Sequence, residues 1–230
     1  MKVAELERFN YTLSHELRSP LVTVKSFLGF LEQDLATADS ESIAKDMAFM
    51  NTATDKMKRL LDELLEMSRV GRVINEPVSL PFNEIVSGVL TTVAGPIVER
   101  GVTVQLDDSS VMLVGDRTRL EEIWQNLIEN AVKYMGSQPA PLVEIGVAVE
   151  HGVPVFYVRD NGMGIEPSYH EKVFGLFEKL DGKSEGTGVG LALVRRIVEM
   201  FGGRVWVESE GVGHGCCFKF TLPEAVKGEE

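Results

Sequence analysis

Four stretches of this 230-residue chain carry side chains that could do chemistry. The first is Ser14-His15-Glu16-Leu17-Arg18-Ser19-Pro20-Leu21. An unprotonated imidazole is a competent nucleophile near neutral pH. The carboxylate of Glu16 beside it can take or orient the ring proton. The second runs from Asn126 to Tyr134, where Asn126, Asn130, Lys133 and Tyr134 recur at i, i+4, i+7 and i+8 and so share one helix face. A merely solvated face would more often carry Glu and Lys than paired Asn. The third is Asp160-Asn161-Gly162-Met163-Gly164-Ile165, directly after a strand-like run. Its glycines let main chain approach a ligand closely, although such a string alone usually marks only a turn. The fourth, Gly186-Thr187-Gly188-Val189-Gly190-Leu191, opens a helix. Amide groups exposed there, with the helix dipole behind them, favour an anion such as phosphate. No Gly-Lys-Ser/Thr follows, so this is not a Walker A loop, and the spacing is not that of a Rossmann turn.

His15 needs a scaffold that exposes it. Val3, Leu6, Phe9, Leu13, Leu17, Leu21, Val24, Leu28, Leu31 and Leu35 step by three and four, which predicts a helix over about 2–35 with one buried seam. His15 lies two residues from both Leu13 and Leu17, about 200° around the helix from each, and so faces water. Pro20 cannot donate to the Glu16 carbonyl, so a bend is expected just after the histidine. Ala36-Thr37-Ala38-Asp39-Ser40 breaks the pattern, and Asp39 or Ser40 can cap a second helix over about 41–71. There Ile43, Met47, Met50, Thr54, Met57, Leu61, Leu64 and Ser68 form a heptad seam. Its methionines read as adaptable core. One such hairpin buries one face of each helix; two hairpins in a four-helix bundle bury the rest, which predicts a homodimer through residues 1–72.

Residues 73–81 read as a hinge, and 82–225 alternate helices with strands. Helices are expected over Phe82–Arg100, 117–135 (capped by Asp116) and Gly188–Phe201. Strands are expected at Val78–Leu80, Val102–Leu106, Val111–Val114, Val143–Glu150, Val153–Arg159, Arg204–Glu208 and Cys216–Leu222. The fold class is therefore α+β: a helical hairpin, then an α/β sandwich with a mixed sheet covered on one face by helices. Trp124 and Trp206 read as core, and His151, His170 and His214 as loop histidines.

A formal net charge of −12 argues against a nucleic-acid partner, which needs a basic face. No apolar run approaches the roughly 20 residues that span a bilayer, and no secretory signal is visible. Cys216 and Cys217 are adjacent in an apolar stretch, which suits buried strand positions and a reducing, cytoplasmic setting rather than a disulfide or zinc site.

Taken in order, these stretches resemble the transmitter core of two-component sensor histidine kinases, from about Glu5 to about Pro223. The octet around His15 is similar to the family's H-box. Residues 126–134 are similar to the N-box, 160–165 to the G1 box, Phe174-Gly175-Leu176-Phe177 to the F-box and 186–191 to the G2 box. The resemblance implies a Bergerat-type ATP fold shared with DNA gyrase B, MutL and heat-shock chaperones. It implies that ATP phosphorylates His15, which passes the phosphoryl group to an Asp of a response regulator receiver domain. It further implies Mg²⁺ on Asn130, with Asn126 beside it, Lys133 on phosphate and Tyr134 near the nucleotide. Asp160 would hold the adenine amine, with Gly162, Gly164 and Ile165 against the base. Glu178–Glu185 would form an ATP lid with Lys179 and Lys183 as its cations; Lys gives a point charge where many relatives have Arg. Ser19, four residues after the histidine, stands where the family often has Thr or Asn to orient water for regulator phosphatase activity. The upstream sensor domain is expected to be missing from this chain, and the full-length protein could be membrane-anchored. Two other readings fit less well. A degenerate, shape-signalling nucleotide module does not need these residues intact, and a water-using Bergerat ATPase leaves the H-box unexplained.

Overall fold

A computed structural model describes residues 3–37, 39–71, 75–179 and 186–226. Helix α1 (Val3–Thr37) runs unbroken through Pro20, which is buried. The side chains of Val3, Leu6 and Phe9 lie outside the described set. Asp39 caps α2 (Ser40–Arg69), accepting from the Glu41 and Ser42 amides at 3.2 Å each.

The hairpin seam differs from the sequence expectation. The buried line on α2 is Asp46, Ala53 and Leu60, spaced by sevens. Met47 and Leu61, expected in the seam, are 51% and 47% exposed. On α1 a second line of sevens, Leu21, Leu28 and Leu35, also faces outward. Apolar residues occupy two faces of each helix, and only one face meets the other helix of the same chain.

After the hairpin, β1 (Val78–Pro81) pairs antiparallel with β3 (Met112–Gly115), matching Val78 to Gly115 and Pro81 to Met112. The expected strand at Val78–Leu80 is present, extends to Pro81 and belongs to the second lobe, which shortens the expected hinge 73–81; residues 72–74 lie outside the described set. The expected helix 82–100 is two helices, α3 (Phe82–Thr92) and α4 (Ala94–Glu99). Pro96 has no N–H for the Thr92 carbonyl, and it sits in the first turn of α4, where none is needed. Helix α5 (Arg117–Lys133) is capped by Asp116, which accepts from the Thr118 and Arg119 amides.

The main sheet has five strands: β2 (Thr103–Leu106), β4 (Leu142–Glu150), β5 (Val153–Asp160), β6 (Val205–Glu208) and β7 (Cys216–Phe220), in the order β2-β4-β5-β7-β6. The pair β2/β4 is parallel and the rest antiparallel. Helices α3, α5 and α6 (Gly190–Met200) cover one face. Val143, Ile145, Phe156 and Val158 point into the core, while Glu144, Tyr157 and Arg159 alternate outward. Phe82, Trp124, Phe156 and Phe220 are fully buried, with ring centroids 5.4–5.8 Å apart, largely edge-on. Burying each such side chain stabilises the lobe by roughly 1.5–3 kcal/mol. Trp206 is half-buried rather than core: its indole N–H donates to Glu208, and the Arg204 guanidinium stacks on its ring at 4.5 Å. Cys216 and Cys217 are free, buried strand residues, as expected.

The two lobes touch. Leu60 of α2 is fully buried against Phe177 and Val189, with Leu13, Leu64, Met67 and Leu176 around them. Arg119, 5% exposed, donates to Glu66 of α2 at 3.0 Å and to Glu122 at 2.7 Å. Asn75 donates to Asp116.

Candidate active site

The Asn-bearing face of α5, the loop after β5 and the start of α6 enclose a cavity of about 370 Å³. Of the residues expected at a nucleotide, Asn126, Asn130, Lys133, Tyr134, Asp160, Gly164, Ile165, Lys179, Gly186, Thr187, Gly188, Gly190 and Leu191 line it. Gly162 and Val189 lie behind its wall. The Gly162 amide donates to Asp160 Oδ1 at 2.8 Å, and Val189 fills the Leu60–Phe177 cluster. Lys183 lies outside the described residues.

Asp160 ends β5 and is 9% exposed. The Gly162 and Cys216 amides both donate to Oδ1, and among the described residues none donates to Oδ2. Burial pushes the Asp160 carboxyl up to about 6, against those two hydrogen bonds. A half-satisfied carboxyl at the bottom of a cleft suits an amino donor on a ligand. Gly164 has φ +74°, and a Cβ there would strike the Gly211 carbonyl, so only glycine fits this turn. Cys216 lies on the cavity floor; burial pushes its thiol up to about 12, which keeps it protonated.

At the other end, Asn126 Nδ2 donates to the Glu122 carbonyl at 2.8 Å. Its Oδ1 stands over Gly190, 2.5 Å from where a Cβ would be. Lys133 Nζ stands in the same way 2.5 Å from a Cβ on Gly186. The amide oxygen thus faces the start of α6 and the ammonium faces the glycine loop that leads into it, surroundings that suit a phosphate chain. Among the described residues no cluster of three His, Cys, Asp or Glu could hold a metal.

Helix α2 supplies a wall the motifs did not announce: Arg59 and Glu63 line the cavity. Thr187 donates its hydroxyl to Glu63. Burial pushes the Glu63 carboxyl up, opposed by that hydrogen bond and by Arg59 and Lys133. The only signal in the sequence is their i, i+4 spacing around Leu60. Phe177 holds φ +63° while its amide donates to the Gly188 carbonyl at 2.8 Å, locking the F-box to the glycine loop.

His15 lies outside the cavity, with its side chain 68% exposed as expected. Glu16 Oε1 is 3.5 Å from His15 Nδ1, and Glu16 Oε2 is 3.9 Å from Nζ of Lys179 at the cavity edge. Ser19 is exposed one turn further along α1. The loop histidines are as expected: His151 and His214 lie on exposed turns, and His170 Nε2 sits 3.3 Å from the Ile165 carbonyl.

Residues 5–72 match the His Kinase A (phospho-acceptor) domain, and residues 115–226 match the histidine kinase-, DNA gyrase B-, and HSP90-like ATPase. Over 222 residues the chain is 50% identical to the methanogenesis regulatory histidine kinase FilI of Methanothrix harundinacea, covering 96% of this chain and 25% of that protein. Full-length ShkA in complex with AMPPNP superposes with a TM-score of 0.65 at 28% identity, over 95% of this chain and 46% of that one. Histidine kinase ThkA in complex with response regulator TrrA reaches a TM-score of 0.77 at 22% identity, over 96% and 63%, a likeness of fold. The chain spans about a quarter of FilI's length. It belongs to the sensor histidine kinases, as their transmitter core: a phospho-acceptor hairpin followed by an ATPase-type lobe.

Proposed function

We propose that this chain autophosphorylates His15 from ATP and passes the phosphoryl group to an aspartate of a response regulator. The observation that carries this reading is the Lys179–Glu16 contact, which sets the mouth of the cavity against the turn bearing His15. Glu16 faces Nδ1, which leaves Nε2 to attack. The Nε2–P bond forms as the bond from Pγ to the bridging oxygen breaks, and ADP leaves. Glu16 holds the Nδ1 proton and stabilises the ring as it becomes cationic. Asp160 takes the adenine amine, while Lys133, Lys179 and the α6 amides take phosphate. The amide oxygens of Asn126 and Asn130 suit Mg²⁺, which when bound neutralises phosphate charge. In phosphoryl transfer, positioning and charge neutralisation supply most of the catalysis.

In the second step the Nε2–P bond breaks and an aspartyl phosphate forms on the regulator, for which the exposed His15 is accessible. A homodimer would cover Leu21, Leu28, Leu35, Met47, Leu61 and Leu65. Residues 1–72 then serve dimerisation and phosphotransfer, 82–225 bind the nucleotide, and the hinge is confined to residues before Val78. Ser19, exposed one turn beyond His15, is the candidate to orient water in a regulator phosphatase. Incubation with γ-labelled ATP should give acid-labile, base-stable phosphate on the protein. Acid-stable protein phosphate, or release of free phosphate alone, would contradict the reading.

A further inference from the structure

The cavity is closed by two bodies, and the second is the hairpin that carries His15. Leu60 fixes α2 against Phe177 and Val189, and the Thr187 hydroxyl donates to Glu63, so α2 sits on the glycine loop itself. Arg59, one turn before Glu63, lines the same cavity. Lys133 and Lys179 line it too, Lys133 against Gly186 of the glycine loop. Among the described residues Arg59 is the only arginine in that lining. It shares that lining with the glycine loop, where a triphosphate would lie. A guanidinium offers a planar fork that matches two phosphoryl oxygens, which an ammonium cannot do.

Building on the transfer reading, we propose that Arg59 is a catalytic residue that hydrogen-bonds the γ-phosphoryl oxygens of ATP and stabilises the charge they carry during transfer to His15. No proton moves at Arg59; it follows the two oxygens while the bond to ADP breaks and the bond to Nε2 forms. The hairpin then delivers acceptor and cation together, so an undocked lobe binds ATP without being fully competent to use it. The bland alternative is that Arg59 only balances Glu63 across one helical turn.

The test uses the full chain with Arg59→Ala and Arg59→Lys. Affinities for ADP and for a non-hydrolysable ATP analogue are measured beside the initial rate of His15 labelling at saturating ATP. Arginines acting in this way in other phosphoryl transferases contribute about 10³–10⁵ in rate. Here Arg59→Ala should slow labelling at least tenfold and weaken the analogue several-fold, with ADP affinity unchanged, and Arg59→Lys should recover part of the rate. Unchanged ADP affinity also shows that the variant is folded; if Arg59→Ala fails to hold ADP, Arg59→Gln takes its place under the same criteria. Labelling within twofold of the unchanged protein would overturn the assignment. So would equal weakening of ADP and analogue, which marks a structural prop. An unchanged protein that holds ADP yet never labels would overturn the transfer reading itself, and this assignment with it.

Discussion

Lys179 and Glu16 meet at 3.9 Å, each with its side chain 20% exposed, and this pair ties the end of the F-box loop to the helical turn that presents His15. Burial, and then the charge of Lys56, disfavours the ammonium form of Lys179, while Glu16 opposes both. Glu16 therefore has two neighbours, the imidazole it orients and the cation that marks the cavity mouth.

Glu16→Gln keeps the size of the side chain and removes its charge. Labelling of His15 should fall about 100-fold or more, the usual contribution of a positioned acid–base group. Nucleotide affinity should change little, since Glu16 does not line the cavity. Rapid-quench labelling beside equilibrium binding checks both; an unchanged rate would remove Glu16 from the chemistry.

Asp160 should titrate near pH 6 in the nucleotide-free protein, because burial raises its carboxyl to about 6. Its unfolded-state value is about 3.9. Raised in the fold, this group favours the native state below about pH 4, and that contribution is lost as pH rises through 6. An amine donated by a bound ligand favours the carboxylate, so ADP should move the titration downward. Carbon-detected NMR of the side-chain carboxyl follows this directly; a midpoint near 4 without ligand would contradict the buried, half-satisfied environment.

Leu60→Ala removes the side chain that seats α2 on Phe177 and Val189, at about 2–5 kcal/mol of local packing. The aromatic core around Trp124 shares none of those contacts. Hydrogen exchange should accelerate at the Phe177 amide and along α2 near residue 60, while exchange in β5 and β7 stays slow. Unchanged exchange at Phe177 would mean that the lobes do not dock through this cluster.

The paired asparagines were legible because a helix repeats locally, and Asn126, Asn130, Lys133 and Tyr134 needed no distant partner to be placed together. The glycine loops were legible for a similar reason: Gly164 and Gly188 hold positive φ values that side chains rarely adopt. The seam of α2 was misplaced because apolar residues cover two of its faces, and nothing local says which face meets α1. Asp46, buried among them, ran against the polarity rule altogether. The strand at Val78–Leu80 was legible from its residues, but that it pairs with β3 and so belongs to the second lobe was not, because that partner lies some 30 residues away. Arg59 and Glu63 carry no signal beyond their i, i+4 spacing; the docking of one lobe on the other brings them to the cavity.

The outward lines of sevens on the hairpin lead to a solution-state expectation. Leu28→Glu, at a position 49% exposed in the single chain, should convert a dimer to a monomer at micromolar concentration in sedimentation velocity. A variant that stays dimeric would place the interface elsewhere.

The most direct test compares the unchanged protein with His15→Gln, measuring adenine-nucleotide affinity and γ-phosphate incorporation on the same samples. Equal nucleotide affinity is expected, with base-stable, acid-labile label on the unchanged protein and none on the variant. Label retained in His15→Gln would contradict the assignment of His15 as the phosphoryl acceptor.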